Sequence, residues 1–221
     1  MASEPARRRP RSPRGRARES AARLAREYPS YDVPLEHESA FLLLVASILS
    51  AQCTDAMVNR VTPELFSRYP RAIETADADP DDVERIIHPT GFFRQKTRSI
   101  IGMANAVVER FGGDVPSSMD DLTSLPGVGR KTAHVIRGHW FERPAITVDT
   151  HVLRLSRLLG LTESDDPIRV ERDLAELWRR SDWTDASMRM IFHGRAVCIA
   201  RRPRCELCVL ADFCPSAAVR H

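Results

Sequence analysis

The sequence almost lacks lysine. Of the 33 basic side chains among its 221 residues, only Lys96 and Lys131 are lysine, and the other 31 are arginine. It also lacks an apolar run long enough to span a membrane, since residues 40–49 form the longest and a spanning helix needs about 20. The N-terminus has no apolar segment, so no signal peptide is predicted. These absences argue against a membrane protein and single out Lys131, because an amine can act as a nucleophile whereas a guanidinium stays protonated.

The positive charge is concentrated at one end of the chain. Residues 1–18 hold seven Arg and one Glu, a net charge of +6. Because the whole chain has a net charge of +3, the remaining residues have a net charge of −3. A protein that binds nucleic acid through bulk charge is basic throughout, so binding here would rely on local patches, backbone amides and the tail. We expect residues 1–17 to be a disordered Arg-rich tail, which either adds salt-dependent DNA affinity or is an idle extension.

Helical periodicity dominates the rest of the chain, and no convincing alternating strands are present. Several helices carry start signals, such as Asp79-Pro80, which combines a cap with proline in the first turn. The sequence predicts an all-α fold with short loops and helices near residues 18–28, 37–50, 54–69, 80–87, 95–111, 118–124, 130–140, 150–159, 167–180 and 183–198.

A Gly-rich turn at residues 125–129 precedes Lys131. Glycine permits positive φ and leaves the backbone bare, and bare amides at a helix N-terminus bind anions such as a nucleic-acid phosphate. A nucleotide-binding P-loop is the competing interpretation, but it requires glycine directly before the lysine, and Arg130 stands there. The simpler alternative for Lys131 is a solvated side chain on the first turn of a helix.

An acidic residue follows eighteen positions later. Asp149 precedes an amphipathic helix, so its simplest role is that of an N-cap. A carboxylate at a helix start remains ionised, and beside an amine nucleophile it can accept a proton or stabilise developing positive charge. We expect His151 to pack or hydrogen-bond rather than to catalyse.

Four of the five cysteines lie within the last 24 residues, with spacing Cys-x6-Cys-x2-Cys-x5-Cys. Close-set thiols without secretory features suggest a metal rather than disulfides. Zinc is the alternative, but zinc sites usually pair two short Cys-x2-Cys motifs, so one compact [4Fe–4S] cluster fits the spacing better. Cys53 is predicted to be a buried thiol outside this set. The predicted ligands are Cys198, Cys205, Cys208 and Cys214, and a basic loop suited to phosphates lies between the first two, at Arg201, Arg202 and Arg204.

Residues 125–133, residues 148–152 and the four cysteines, in this order and spacing, resemble the endonuclease III family of DNA glycosylases. Residues 49–55 (LSAQCTD) and 191–195 (IFHGR) are similar to two further family segments. The resemblance covers nearly everything after residue 20. It implies two helical domains flanking a DNA-binding groove: a six-helix domain with a helix-hairpin-helix at residues 33–143, and an iron–sulfur cluster domain built from residues 18–32 and 144–221.

The resemblance also implies roles for individual residues. Lys131 would be the nucleophile and Asp149 its carboxylate partner. Gln52 would fill the gap left by an extruded base, and Phe92 would act as a wedge on the opposite strand. From the residues alone, Phe92 would be core packing. The DNA-contacting hairpin would comprise Gly127, Val128, Gly129 and Arg130.

The activity implied is that of a bifunctional DNA glycosylase and AP lyase that removes oxidised pyrimidines from duplex DNA. Lys131 would form a Schiff base with the sugar, and β-elimination would cut the strand 3′ to the abasic site. We expect burial, the helix N-terminus and Arg130 to disfavour the ammonium form of Lys131. The family resemblance further implies a monomer of the bacterial cytoplasm, associated with the nucleoid and not with membranes.

Three alternatives remain open at this stage. An adenine glycosylase would carry a catalytic Glu in the region of residues 44–55, where this sequence has none, and an additional C-terminal domain. A mismatch-specific thymine or uracil glycosylase is a further alternative, because pocket residues set the base preference. A non-catalytic iron–sulfur DNA-binding or redox module would keep the scaffold without the chemistry.

Overall fold

The computed structural model describes residues 10–31 and 33–218, and all regular structure in these ranges is helical, so the all-α prediction is confirmed. Three short 3₁₀ helices occur at His88–Thr90, Arg180–Asp182 and Cys205–Leu207. The α-helices are α1 (Pro13–Glu27), α2 (Ala40–Leu49), α3 (Asp55–Arg68), α4 (Ala72–Ala76), α5 (Pro80–Ile87), α6 (Phe93–Phe111), α7 (Met119–Thr123), α8 (Arg130–His139), α9 (Thr150–Leu158), α10 (Pro167–Leu177) and α11 (Trp183–Ala196). Across these two ranges, no helix combines the length and apolar character needed to cross a bilayer.

The chain forms two compact units. One consists of Met1–Tyr31 together with Pro144–His221, and the other is Asp32–Arg143. Each has a hydrophobic core of its own. The second unit holds helices α2 to α8, so the short helix α4 is added to the six that the sequence predicts there.

The Asp32–Arg143 unit is built around α2. Residues 41–49 of this helix are all buried, which explains why it is apolar on every side. It packs against α3, α6 and α8. Helix α6 is the longest among the described residues and ends at Gly112, whose left-handed conformation (φ 63°) provides its C-cap.

The other unit packs α1, α9, α10 and α11 together. Its core extends into the C-terminal loop, where Leu210 and Phe213 are 2% and 8% exposed. Two arginines bind this loop to the helices. Arg23 of α1 donates to the Val209 carbonyl (2.8 Å) and to Asp212 (2.6 Å), and Arg154 of α9 donates to the Cys198 carbonyl (2.6 Å).

The expected disordered tail of residues 1–17 is wrong for its last five residues. Helix α1 begins at Pro13 because the Ser12 hydroxyl caps the Gly15 amide at 3.1 Å and proline suits the first turn. Arg16 then donates to the Leu159 and Gly160 carbonyls, and Ala17 is completely buried. The expectation for residues 1–9 falls outside the described residues.

Candidate functional site

The Gly-rich turn joins α7 and α8 in the Asp32–Arg143 unit. Leu125 and Val128 are buried and anchor the turn, and the Val128 amide donates to the Leu125 carbonyl at 3.1 Å. Gly127 has φ +73°, and a Cβ added there would lie 2.6 Å from the Ser99 Cβ on α6. Only glycine therefore fits at this position, on both backbone and steric grounds.

Lys131 occupies the first turn of α8 and is exposed. Gly129 precedes the helix and has no side chain, so the first amides of α8 receive no side-chain cap. These amides and the partial positive charge of the helix N-terminus surround the base of the lysine. The expected burial of the Lys131 side chain is wrong, because the side chain is exposed.

Asp149 lies in the other unit, at the N-cap of α9. Its Oδ1 atom accepts from the His151 and Val152 amides at 2.8 and 2.9 Å, which accounts for the N-cap reading. The cap uses only Oδ1, so capping α9 does not conflict with the predicted role of Asp149 as the carboxylate partner of Lys131. Burial lowers the pKa of the neighbouring His151, while the Asp149 charge acts in the opposite direction.

Gln52 and Phe92 share a backbone feature that the sequence did not reveal. Both are in the left-handed region, with φ 52° and 50°, which costs a non-glycine residue about 1–2 kcal/mol. Both side chains are exposed, Phe92 by 63%. The core-packing alternative for Phe92 is therefore wrong. The two residues border one pocket of about 260 Å³, together with Ile48, Ala51, Gln95, Lys96, Ser99 and Gly127.

Lys96 is a functional candidate to which the sequence patterns assign no role. It is only 4% exposed, and its ammonium donates to the Leu49 carbonyl at 2.8 Å and the Thr90 carbonyl at 2.9 Å. Burial lowers its pKa. The available signal was its rarity, since it is the only other lysine in the chain.

The four C-terminal cysteines are free thiols, each partly buried, in one loop. Burial raises the pKa of Cys198, Cys208 and Cys214, that of Cys208 to about 11, and the neighbouring thiolates add to the effect. Four such thiols favour a ligand that supplies positive charge, as iron does. Among the described residues no group of three or more His, Cys, Asp or Glu side chains is arranged to hold a metal ion. Four cysteine thiolates are nonetheless the donor set that holds an iron–sulfur cluster.

His193 is a further residue near the cysteines to which the sequence patterns assign no individual role. It is buried in α11, and its Nε2 lies 3.2 Å from the Cys208 sulfur, while its Nδ1 lies 3.3 Å from the Tyr28 hydroxyl. Burial lowers its pKa to about 4. The His193 ring therefore lies between the Tyr28 hydroxyl and the Cys208 sulfur.

The basic loop lies in the same unit as the cysteines. Arg201, Arg202 and Arg204 are all exposed, and the Arg204 amide donates to the Val197 carbonyl at 3.0 Å, which closes the loop. The residues predicted for the site are thus distributed over both units. The hairpin, Lys131, Gln52 and Phe92 belong to one, and Asp149, the cysteines and the arginine loop belong to the other.

Comparison with known proteins assigns the chain to one family. A family model described as "HhH-GPD superfamily base excision DNA repair protein" matches residues 45–180, and one described as "iron-sulfur binding domain of endonuclease III" matches residues 198–214. The endonuclease III of Synechocystis sp. is 52% identical over 207 residues, covering 93% of this chain and 94% of that protein. The Bacillus subtilis endonuclease III is 42% identical and covers 85% and 86%.

Solved structures of endonuclease III support the same family assignment. A non-covalent endonuclease III–DNA complex superposes with a TM-score of 0.88 at 38% identity, covering 92% of this chain and 96% of that one. A trapped covalent endonuclease III–DNA intermediate matches equally well. A thermostable thymine-DNA glycosylase has a TM-score of 0.82 at 19% identity, which shows likeness of fold alone. The chain belongs to the endonuclease III family, within the HhH-GPD superfamily of base excision DNA repair proteins.

Proposed function

We propose that this protein is a bifunctional DNA glycosylase and AP lyase of base excision repair that excises oxidised pyrimidines from duplex DNA. Its membership of the endonuclease III family supports the reaction class. The observation that carries the mechanism is the exposed primary amine of Lys131, placed directly after a hairpin whose glycine admits no other residue. The preference for oxidised pyrimidines is the finer part of the proposal.

In this mechanism the damaged nucleotide is first extruded from the stack, which costs a few kcal/mol and less where damage weakens stacking. The neutral amine of Lys131 attacks C1′, and the glycosidic bond breaks with its electron pair leaving on the base. The sugar ring then opens to a protonated Schiff base. This acidifies the C2′ proton, whose loss expels the 3′ phosphate by β-elimination.

Asp149 is assigned the role of carboxylate partner in the first step. Its charge would accept the proton that Lys131 loses, or stabilise positive charge that develops on the sugar. The N-cap supports this role, because two amides hold Oδ1 at the positive end of the helix dipole.

The protein carries a [4Fe–4S] cluster, as its family does. We assign Cys198, Cys205, Cys208 and Cys214 as the ligands. When bound, the cluster would supply a covalent frame for the C-terminal loop and take no part in base removal. The exposed residues Arg201, Arg202 and Arg204 would then contact DNA phosphates.

The DNA contacts proposed for the other unit are of two kinds. The hairpin of Gly127, Val128, Gly129 and Arg130 would hold a phosphate at the start of α8. The Val128 amide already donates within the turn, so Gly129 and the first amides of α8 would provide the donors. Gln52 and Phe92 would enter the base stack.

A borohydride-trapping experiment tests the mechanism. The sequence offers only three amines, those of Lys96, Lys131 and the N-terminus. Reduction in the presence of a thymine-glycol duplex should give a covalent adduct, and mass-spectrometric mapping should place it on Lys131. The Lys131→Met variant should give none. An adduct on another amine, or excision without any adduct, would contradict the Schiff-base mechanism and favour a monofunctional glycosylase.

A single chain carries both Lys131 and Asp149, so the proposed reaction requires no second copy. We therefore propose that the protein acts as a monomer on chromosomal DNA. Size-exclusion chromatography with light scattering should give a mass near 24.9 kDa.

A further inference from the structure

Lys96 connects two loops of the Asp32–Arg143 unit. Its ammonium donates to the Leu49 carbonyl at the end of α2, three residues before Gln52, and to the Thr90 carbonyl, two residues before Phe92. The two acceptors lie on segments 41 residues apart in the sequence, each leading into a residue with positive φ. No other side-chain hydrogen bond described for this unit joins these two segments.

We propose that Lys96 is a positioning residue that holds the Gln52 and Phe92 loops in register, so that both side chains are ready to enter the DNA stack. This rests on the proposed function for the roles of Gln52 and Phe92. The link between the loops does not depend on it.

The burial of Lys96 supports a positioning role rather than a DNA contact. A side chain that is 4% exposed offers almost no surface to a phosphate. Placing an ammonium there is costly unless strong acceptors satisfy it, and hydrogen bonds from a charged donor are about twice as strong as neutral ones. A buried cation held by two carbonyls is therefore a strong link between the two segments.

The left-handed residues explain why such a link is useful. Positive φ is unfavourable for Gln52 and Phe92, so each loop tends to relax unless its neighbours hold it. Both residues also border the pocket that includes Ser99 and Gly127. Fixing both loops in advance removes part of the ordering cost that DNA binding would otherwise carry.

The test compares binding to two duplexes, one undamaged and one with a tetrahydrofuran abasic analogue. The variant is Lys96→Met, which keeps a stem of the same four-atom length and removes the ammonium. We expect the preference for the abasic duplex to fall by about tenfold or more, as expected for losing hydrogen bonds to a charged donor. A preference is a ratio, so a loss of folded protein leaves it unchanged.

Two sets of controls separate positioning from other effects. Arg110→Met removes one positive charge from the same helix and should leave the preference unchanged. In a Gln52→Ala/Phe92→Ala background, Lys96→Met should change the preference by less than about twofold, because coupled residues are not additive. An unchanged preference in the single variant, or an equal loss in both backgrounds, would overturn the proposal.

Amide hydrogen exchange on the free protein provides a readout that does not depend on DNA. Lys96→Met should accelerate exchange at residues 49–54 and 88–93, with α3 and α5 unaffected. If Lys96→Met leaves exchange in both loops unchanged, the link is refuted, whatever the DNA-binding measurement shows. Should Lys96→Met fail to fold, Lys96→Gln, with a shorter polar donor, takes its place. If the wild type forms no borohydride adduct but Lys96→Met still accelerates exchange in both loops, the proposed function is refuted and the link between the loops stands.

Discussion

The two lysines of this chain occupy opposite environments. Lys131 is exposed on the first turn of α8, whereas Lys96 is buried and its pKa is lowered by that burial. Their rarity marks both as unusual in the sequence, and the glycine turn explains one of them. The sequence could not assign Lys96, because its partners are main-chain carbonyls that carry no residue-specific signal.

Replacing Asp149 with Asn should separate base excision from Schiff-base formation. The Asn amide oxygen still caps α9, so the fold should persist, but the negative charge is lost. We expect single-turnover excision of thymine glycol to fall by about 10²-fold or more. Trapping on a preformed abasic site should fall much less, because its open-chain aldehyde reacts with an amine without loss of a base.

The matched control for this variant is Asp166→Asn. Asp166 caps α10 in the same unit by accepting from the Ile168 and Arg169 amides, so the substitution makes the same chemical change at an ordinary cap. It should leave both rates unaltered. Equal losses of excision and trapping in Asp149→Asn would argue for a structural role of Asp149 alone.

At the scale of elements, the helices with strong local signals were predictable. Asp79-Pro80 fixed the start of α5 at the observed residue, and the Ser118 cap set α7 within one residue. Helix α4 was missed because it has five residues and no side-chain cap. The early start of α1 was missed because an Arg-rich composition outweighed the Ser12-Pro13 start signal, and the Arg16 contacts that hold this turn are long-range.

The hairpin allows a prediction that compares two glycines in one turn. Gly127→Ala places a Cβ 2.6 Å from the Ser99 Cβ at φ +73°, and should lower the free energy of unfolding by about 1–3 kcal/mol. Gly129→Ala meets nothing within 4 Å at φ −87° and should cost no more than about 1 kcal/mol. Denaturant unfolding measures both values.

Ser99→Gly provides the second half of this experiment. It removes the atoms that clash and leaves the positive φ, so the Gly127→Ala/Ser99→Gly protein should regain part of the lost stability. Equal effects of Ala at both glycines would show that the approach to Ser99 does not restrict the turn.

At the scale of the whole molecule, each unit has its own hydrophobic core. We therefore expect the cluster to stabilise only the unit that contains it. The C-terminal loop inserts Leu210 and Phe213 into the core of its own unit, and Arg23 and Arg154 bind the loop backbone. The core of the Asp32–Arg143 unit contains no residue of this loop. The cysteine spacing was sufficient to predict the metal, but the anchors were not predictable, because they pair residues far apart in the sequence.

Removing one ligand should therefore loosen one unit and spare the other. Cys208→Ser should lose iron and the visible absorption of the cluster, since ligand loss removes the folding energy that metal binding supplies. Release of Leu210 and Phe213 from the core costs about 1.5–3 kcal/mol for each side chain. Amide hydrogen exchange should then accelerate at residues 198–214 and in α9 and α11, while α2 and α6 remain protected by their own core.

The control variant is Cys53→Ser, which changes a thiol of the other unit. It should keep the iron, the visible absorption and the protection from exchange intact. If protection of α2 fell as far as that of α11, the cluster would support the whole molecule, because only a cooperative fold transmits the loss of one loop to a core it does not enter.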